Sequence, residues 1–251
     1  MPPSRSFAAP KLDPWDGVLL VDKPPGFTSH DVVAKVRNFF RLKKVGHGGT
    51  LDPMATGLLI LLLGRGTRAS NQVMGSDKIY EGVMRLGITT DTQDAEGEVL
   101  EEKSADGITD EQVLAEMRKR IGDQMQIPPM VSAIKKNGVP LYKLARKGEV
   151  IEREARLIHV YNFNMLGREG VDVSFNLKCT KGTYVRTLVQ DLGQKLGCGA
   201  HLTELRRSIS GKFDVANALS LDQTLALSTA ELEKRVIPML KLAANLTAAA
   251  K

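Results

Sequence analysis

The chain has 251 residues, 42% of them hydrophobic and 25% charged, and this balance excludes wholesale disorder. Its formal net charge of +6 is compatible with a polyanionic partner but does not establish one. Two cysteines, Cys179 and Cys198, exclude a disulfide framework and a four-cysteine zinc site, and we expect both to be buried and reduced. The longest apolar run, residues 57–64, is far shorter than the roughly 18 residues of a membrane span. We therefore expect a cytoplasmic protein.

The first elements of the chain are predicted by turn and capping residues. Residues 1–16 predict a flexible tail, and residues 17–21 predict a short strand that ends at the turn Lys23-Pro-Pro-Gly26. Thr28 or Ser29 can cap the helix that follows. The apolar face of this helix is predicted to carry Val32, Val33, Val36, Phe39 and Phe40.

The rest of the chain predicts long strands with helices between them. The capping pattern Thr109-Asp-Glu-Gln112 opens a helix over residues 109–120, and residues 126–148 predict a long, irregular, basic excursion. The remaining predicted elements are a loop over 46–57, strands over 58–63 and 78–88, a polar turn over 91–97, strands over 156–165 and 171–179, a helix over 184–196, a strand over 200–208 and short helices over 221–251. Regular alternation of strands and helices is absent, so the pattern predicts an α+β fold.

The loop Gly46-His-Gly-Gly-Thr-Leu-Asp-Pro-Met-Ala-Thr-Gly57 is the segment most informative about chemistry. Its glycines allow the backbone to approach a ligand closely. Asp52 is held between this glycine-rich stretch and Pro53, and a rigid carboxylate on a loop can serve as a nucleophile or base. Alternatively, Asp52 forms an Asx-turn that caps backbone amides, and the loop on its own favours this reading.

A second informative segment, Lys181-Gly-Thr-Tyr-Val-Arg-Thr-Leu188, lies where a predicted strand gives way to a helix. Tyr184 and Arg186 at a helix start can bind a base and a carboxylate or phosphate. The alternative is a core-facing tyrosine beside a surface arginine, and in isolation it is favoured. Tyr80 in its strand is, likewise, ordinarily a half-buried aromatic.

Six segments together form a recognisable set. They are Asp22-Lys-Pro-Pro-Gly-Phe-Thr-Ser29, Gly46-His-Gly-Gly-Thr-Leu-Asp-Pro53 with Ala55-Thr-Gly57, Lys78-Ile-Tyr-Glu-Gly82, Thr89-Thr-Asp-Thr-Gln-Asp-Ala95, Gln126-Ile-Pro-Pro-Met-Val-Ser-Ala133 and Lys181-Gly-Thr-Tyr-Val-Arg186. In order and spacing they closely resemble the motifs of the TruB family of bacterial tRNA pseudouridine-55 synthases. The resemblance extends from about Gly17 to about Ile237.

This resemblance implies an isomerase that converts uridine to pseudouridine at position 55 in the T-arm loop of tRNA, by base flipping and an aspartate nucleophile. It implies the pseudouridine synthase fold, a mixed and mostly antiparallel sheet with flanking helices, a central RNA-binding cleft and a thumb insert at about 126–148. The catalytic domain is expected over 17–240, followed by a tail over 241–251 that is too short for the complete PUA domain of longer members. The expected partner is the T-arm stem-loop of tRNA, with no membrane, metal or cofactor, and the expected state is a monomer.

The family's active-site roles transfer to five matching positions. By resemblance, Asp52 is the nucleophile and Arg186 is its paired arginine. Tyr80 resembles the tyrosine that stacks on the flipped base and helps in proton transfer, and Tyr184 resembles the base-contacting tyrosine. Leu205 matches an apolar pocket position, with an ordinary core leucine as the alternative.

Other positions match the family's supporting and RNA-binding residues. His47 resembles the histidine that fills the stacking space vacated by the flipped base. Lys23 is expected to set the turn near the site, and Asp94 to pin the surrounding region. Lys135 and Lys136 of the insert suit phosphate contacts. The insert's other basic residues are Lys143, Arg146 and Lys147.

Two other functions are compatible with parts of the same pattern. One is that of the archaeal and eukaryotic relative that works with a guide RNA, and the bacterial-like insert argues against it. The other is that of a non-catalytic tRNA-binding protein on the same scaffold. Such a protein would not need Asp52, Tyr80 and Arg186 together.

Overall fold

The computed structural model describes residues 13–136, 138–145, 147–149, 151–239 and 241–242 of the chain. Most of the two predicted tails, and Arg146 of the insert, lie outside the described residues. The strands are β1 Gly17–Lys23, β2 Val45–His47, β3 Thr56–Leu63, β4 Lys78–Leu86, β5 Ile88–Thr90, β6 Val99–Glu102, β7 Gly122–Gln126, β8 Lys135–Lys136, β9 Val139–Pro140, β10 Arg156–Glu169, β11 Asp172–Cys179, β12 Ala200–Ser210, β13 Phe213–Asp214, β14 Leu219–Ser220 and β15 Ile237–Pro238. The α-helices are α1 Ser29–Phe39, α2 Ser70–Met74, α3 Asp110–Lys119, α4 Leu141–Ala145, α5 Val185–Leu196, α6 Leu221–Leu225 and α7 Thr229–Arg235.

One large sheet organises the fold. Its strand order is β14-β1-β3-β12-β4-β11-β10-β7, and off this path β2 pairs with β3, β13 with β12 and β15 with β1. The pairs β1–β14 and β3–β12 are parallel and the other neighbours are antiparallel. The expectation of an α+β fold with a mixed, mostly antiparallel sheet is therefore confirmed. No helix among the described residues has both the length and the apolar composition that a membrane crossing requires.

Strand β3 is buried on both faces, which accounts for its continuous apolar sequence. Leu59, Leu61 and Leu63 pack into the larger hydrophobic core cluster. Leu58 and Ile60 point the opposite way, into a smaller cluster. Because β3 is paired on both sides and covered above and below, the loop that precedes it is anchored to a rigid element. Both cysteines are buried, as predicted.

The predicted caps of α1 and α3 are confirmed. Thr28 and Thr109 each accept a hydrogen bond from the backbone three residues on, in complete capping boxes. The prediction for Phe39 is wrong, because its side chain is 59% exposed. Phe39 is the last residue of α1, and the chain turns at Arg41, which has a φ of 52°. The Phe39 ring packs edge-on against Phe40.

Some elements were not predicted from the sequence. Residues 64–69 form a 3-10 helix that continues into α2, and β6 and β7 are further strands. The segment 126–148 is less irregular than predicted, since it contains the hairpin β8–β9 and the short helix α4. Near the C-terminal end of the described chain, the short strand β15 pairs with β1 in a region predicted as helical.

Candidate active site

A cleft with a cavity of about 320 Å³ opens beside the centre of the sheet. Its walls come from the loop before β3, the strands β4 and β12, the segment after β7 and the junction that leads into α5. Side chains with chemical functions gather there from all of these elements. They include Asp52, Tyr80, Ser132, Tyr184 and Arg207, with Leu205 as an apolar wall.

Asp52 and Arg186 form a two-pronged ion pair at the cleft. Arg186 Nε donates to Asp52 Oδ2 over 2.9 Å, and Arg186 Nη2 donates to Oδ1 over 3.3 Å. The Asp52 side chain is 36% exposed, whereas that of Arg186 is 3% exposed. The described hydrogen bonds of the carboxylate come from this arginine and not from backbone amides, so the geometry differs from an Asx-turn. The guanidinium therefore orients a carboxylate that keeps one side open to the cleft.

Arg186 is itself fixed by three further groups. Its Nη1 donates to the Thr92 carbonyl over 2.7 Å, and its Nη2 donates to the Val131 carbonyl over 2.9 Å. Asp94 Oδ2 lies 3.3 Å from Nη1, and the Asp94 side chain is buried. Thr92 Oγ1 donates to the other Asp94 oxygen over 2.6 Å. Asp94 thus pins the arginine from behind while Asp52 faces the cleft.

Tyr80 and Arg207 are direct cross-strand partners on β4 and β12, so their side chains share a face of the sheet. Arg207 is 2% exposed and donates to the carbonyls of Leu58, Gly49 and Thr50 over 2.8, 3.2 and 3.3 Å. Burial raises the pKa of Tyr80 to about 12, and the positive charge of Arg207 opposes that rise. Near neutral pH the Tyr80 hydroxyl is therefore protonated, beside a buried cation.

Two buried lysines flank the cleft, and burial lowers the pKa of each to about 8. Lys23 donates to the carbonyls of Pro24, Phe27 and Pro53 over 2.9, 2.7 and 3.0 Å. These three bonds join the turn after β1 to the residue that follows Asp52 in sequence. Lys78 lines the cleft itself, two residues before Tyr80 on β4.

The other expected site residues lie in three different places. His47 is half-buried on β2, burial lowers its pKa, and its Nδ1 atom has no hydrogen-bond partner among the described residues. Lys135 and Lys136 are exposed on the hairpin of the insert and line a second cavity rather than the cleft. Leu205 is buried and lies at the cleft wall.

Sequence reasoning missed several cleft residues. Arg207 and Lys78 carried a usable signal, because each lies two residues from an expected site residue on a strand and so shares its face. Ser132, and Gln126 outside the cleft lining, lie within a quoted motif, but nothing local indicates their contacts. Within the described part of the chain, no group of three or more His, Cys, Asp or Glu side chains is placed to hold a metal ion.

Two protein-family models match the chain. The TruB family pseudouridylate synthase N-terminal domain matches residues 37–185, and the tRNA pseudouridylate synthase B C-terminal domain matches residues 186–242. A protein named tRNA pseudouridine synthase B from Opitutus terrae is 54% identical over 92% of this chain and 96% of its own length. Its namesake from Stutzerimonas stutzeri is 51% identical over 82% of this chain and 67% of its own.

Solved structures of two complexes contain chains with a similar architecture. A chain of a Cbf5-Nop10-Gar1 complex superposes with a TM-score of 0.72 at 31% identity, over 92% of this chain and 63% of that one. A chain of an H/ACA ribonucleoprotein bound to a substrate RNA containing 2′-deoxyuridine gives a TM-score of 0.68 at 28% identity, over 92% and 62%. The present chain therefore spans a little under two thirds of these solved relatives.

Proposed function

The chain belongs to the TruB family of pseudouridylate synthases, and we propose that it isomerises uridine to pseudouridine at position 55 in the T-arm loop of tRNA. The enzyme class and the tRNA substrate follow from this membership. The target position, the flipping of the base and the roles of individual residues are our proposal. The observation that carries it is the open carboxylate of Asp52, held by Arg186 at the cleft.

The reaction requires an activated sugar carbon and a moved proton. The N1–C1′ bond breaks, a C5–C1′ bond forms, and overall one proton leaves C5 while one is gained at N1. No redox change occurs. A carboxylate can trap or stabilise an electron-poor sugar carbon, as in glycoside chemistry. We assign this nucleophilic role to Asp52, and the role of orienting it to Arg186.

The cleft suits a single extruded base. A uridine inside a folded loop is unreachable, so it must be flipped out at a cost of about a few kcal/mol. Tyr80 and Tyr184 offer aromatic walls, and Leu205 offers an apolar one. We propose that Tyr80 stacks on the base and carries a proton at its hydroxyl, that Tyr184 contacts the base, and that His47 fills the vacated stack.

The remaining contacts are assigned by charge and location. The exposed ammonium groups of Lys135 and Lys136 suit RNA phosphates. Lys23 has its three donor hydrogens directed at backbone carbonyls, so we assign it to holding the turn rather than to RNA. We propose that a monomer in the cytoplasm is the working form.

The proposal is tested with unmodified tRNA transcripts. Purified protein should produce one pseudouridine, at position 55, when the product is mapped by carbodiimide-dependent primer extension. A transcript with cytidine at that position should stay unmodified. The isolated T-arm stem-loop should react nearly as well as whole tRNA, because the assigned contacts belong to the catalytic domain. Modification at another uridine, or of no uridine, would refute the assignment.

A further inference from the structure

Gln126 connects the base of the insert to the cleft. It is the last residue of β7 and is 3% exposed. Its side-chain amide meets the backbone of Tyr184 twice, although the two residues are 58 positions apart. Oε1 accepts from the Tyr184 amide over 2.8 Å, and Nε2 donates to the Tyr184 carbonyl over 3.0 Å.

This double contact acts at a helix start where the local support is a backbone hydrogen bond, from the Leu188 amide to the Tyr184 carbonyl over 3.2 Å. Tyr184 is the N-cap residue of α5, and its own side chain makes no capping hydrogen bond. The Tyr184 ring lines the cleft together with Asp52, and Arg186 follows two residues later. The direction in which both side chains leave the backbone therefore depends on how the Tyr184 backbone is held.

The start of the insert makes a second contact with the same junction. The Val131 carbonyl, a few residues beyond Gln126, accepts from Arg186 Nη2 over 2.9 Å. The first residues of the insert thus contact the backbone of Tyr184 and the side chain of Arg186. Hydrogen bonds therefore join the insert to both Tyr184 and Arg186.

We propose that Gln126 is a positioning residue, which sets the placement of Tyr184 and Arg186 by hydrogen bonding to both the amide and the carbonyl of Tyr184. This inference rests on the proposed function, because it assumes that Tyr184 and Arg186 act on the uridine. Gln126 itself touches no reacting atom. Its loss should lower the rate of isomerisation more than the affinity for tRNA, since affinity comes mainly from phosphate contacts elsewhere.

The chemistry of the amide provides a sharp test. A protonated glutamic acid, like glutamine, offers one acceptor and one donor, so Gln126→Glu can make both bonds when it is neutral. When ionised it can still accept from the Tyr184 amide, but it repels the Tyr184 carbonyl. Arg156 lies opposite Gln126 on β10, and Asp52 and Arg186 lie beyond Tyr184. The titration of these groups themselves is common to all variants and cancels in the ratio to wild type. Their charges still act on the introduced carboxylate, whose pKa the two arginines lower and Asp52 raises.

Single-turnover rates should therefore depend on pH in a way specific to this variant. At about pH 8 we expect Gln126→Glu to be about tenfold slower than wild type, the size of one lost buried hydrogen bond with an opposed charge. Because the site is buried, the pKa of the introduced acid should be raised above its ordinary value. The ratio to wild type should therefore recover as the pH is lowered toward about 5.5 and the acid takes up its proton. Gln126→Met has a similar shape but no polar groups, and it should be slow at both pH values.

A matched control lies on the same strand. Gln124, two residues earlier on β7, donates to the Arg120 carbonyl and lies outside the cleft lining. Gln124→Glu places the same new charge nearby, and its rate should follow that of wild type at each pH. A second readout without catalysis is amide hydrogen exchange, which should become faster at residues 183–188 in Gln126→Met.

The outcomes separate this inference from the proposed function. If wild type makes pseudouridine at position 55 while Gln126→Met keeps the wild-type rate, or while Gln126→Glu shows a ratio independent of pH, the positioning role is wrong and the function stands. If wild type modifies no tRNA, the function is wrong and hydrogen exchange decides the positioning. Exchange that is unchanged in Gln126→Met would then refute it.

Discussion

Arg186 donates hydrogen bonds to both carboxylate oxygens of Asp52, with Nε 2.9 Å from Oδ2 and Nη2 3.3 Å from Oδ1. The two residues are 134 positions apart in the sequence. The arginine is almost completely buried, whereas the carboxylate is partly open. Burying an ion pair carries a desolvation cost that can exceed its attraction, so stability is a weak reason for its presence. Orientation of the carboxylate toward the cleft is the stronger reason.

Arg186→Lys should nearly abolish isomerisation. A lysine ammonium has no planar fork and cannot meet Asp52, Asp94 and the two carbonyls at once. We expect the single-turnover rate to fall by about 100-fold or more, or about 2.7 kcal/mol in barrier height. The dissociation constant for tRNA, measured by filter binding, should change by less than about threefold.

A matched arginine–aspartate pair provides the control for that variant. Arg206 donates to both oxygens of Asp22, over 3.0 and 2.6 Å, outside the cleft lining. Because both side chains of this pair are partly exposed, it contributes little to stability. Arg206→Lys should keep the wild-type rate within about twofold. Equal losses in the two variants would show that the effect at Arg186 is not specific to the site.

Charge reversal at Lys135 and Lys136 should weaken tRNA binding and flatten its dependence on salt. Each phosphate contact that is lost lowers the slope of log affinity against log salt by about 0.7 to 0.9. The test is the dissociation constant at several salt concentrations. Lys119→Glu, an exposed lysine on α3, should leave the slope unchanged. A wild-type slope in the double variant would show that Lys135 and Lys136 of the insert do not contact RNA phosphates.

Lys23→Met should change how stability depends on pH. Burial lowers the pKa of Lys23 from 10.5 to about 8, so between these values the unfolded chain holds a proton that the folded chain has lost. Wild-type stability therefore gains from Lys23 as pH rises through this window. The free energy of unfolding of wild type, minus that of Lys23→Met, should increase from about pH 8 to about pH 10.5 in urea titrations. A constant difference would contradict this.

The local features of the fold were predictable from the sequence. The capping boxes at Thr28 and Thr109 depend on residues three positions apart, and the buried strand β3 depends on an uninterrupted apolar run. The exposure of Phe39 was not predictable, because helical spacing alone does not show where a helix leaves the core. Short strands such as β15 escape prediction since they exist only through pairing with a distant strand.

The candidate site was only partly predictable, for the same reason. Asp52 and Arg186 were paired through a family resemblance, whereas the residues around each left the pairing open. The contact between Gln126 and the Tyr184 backbone depends on two segments that meet only in the folded chain. Arg207 was within reach of sequence reasoning, since it follows Leu205 at strand spacing.

Asp94→Asn should have a smaller effect than loss of Asp52. The side chain lies behind Arg186 and is buried, so the substitution weakens the hold on the arginine without removing Asp52, the proposed nucleophile. We expect a single-turnover rate about ten- to a hundredfold below wild type, equivalent to about 1.4 to 2.7 kcal/mol. An unchanged rate would mean that the other partners of Arg186 suffice to fix it.

The most direct test of the account is the single-turnover rate of Asp52→Asn on tRNA, with Asp22→Asn as a control outside the cleft lining. The amide is nearly isosteric with the carboxylate, so the loop should keep its shape, and tRNA binding should persist because phosphate contacts dominate it. We predict that Asp52→Asn forms no detectable pseudouridine while Asp22→Asn stays near wild type. A rate for Asp52→Asn above about a tenth of wild type, a loss of less than about 1.4 kcal/mol, would contradict the assignment of Asp52 as the nucleophile.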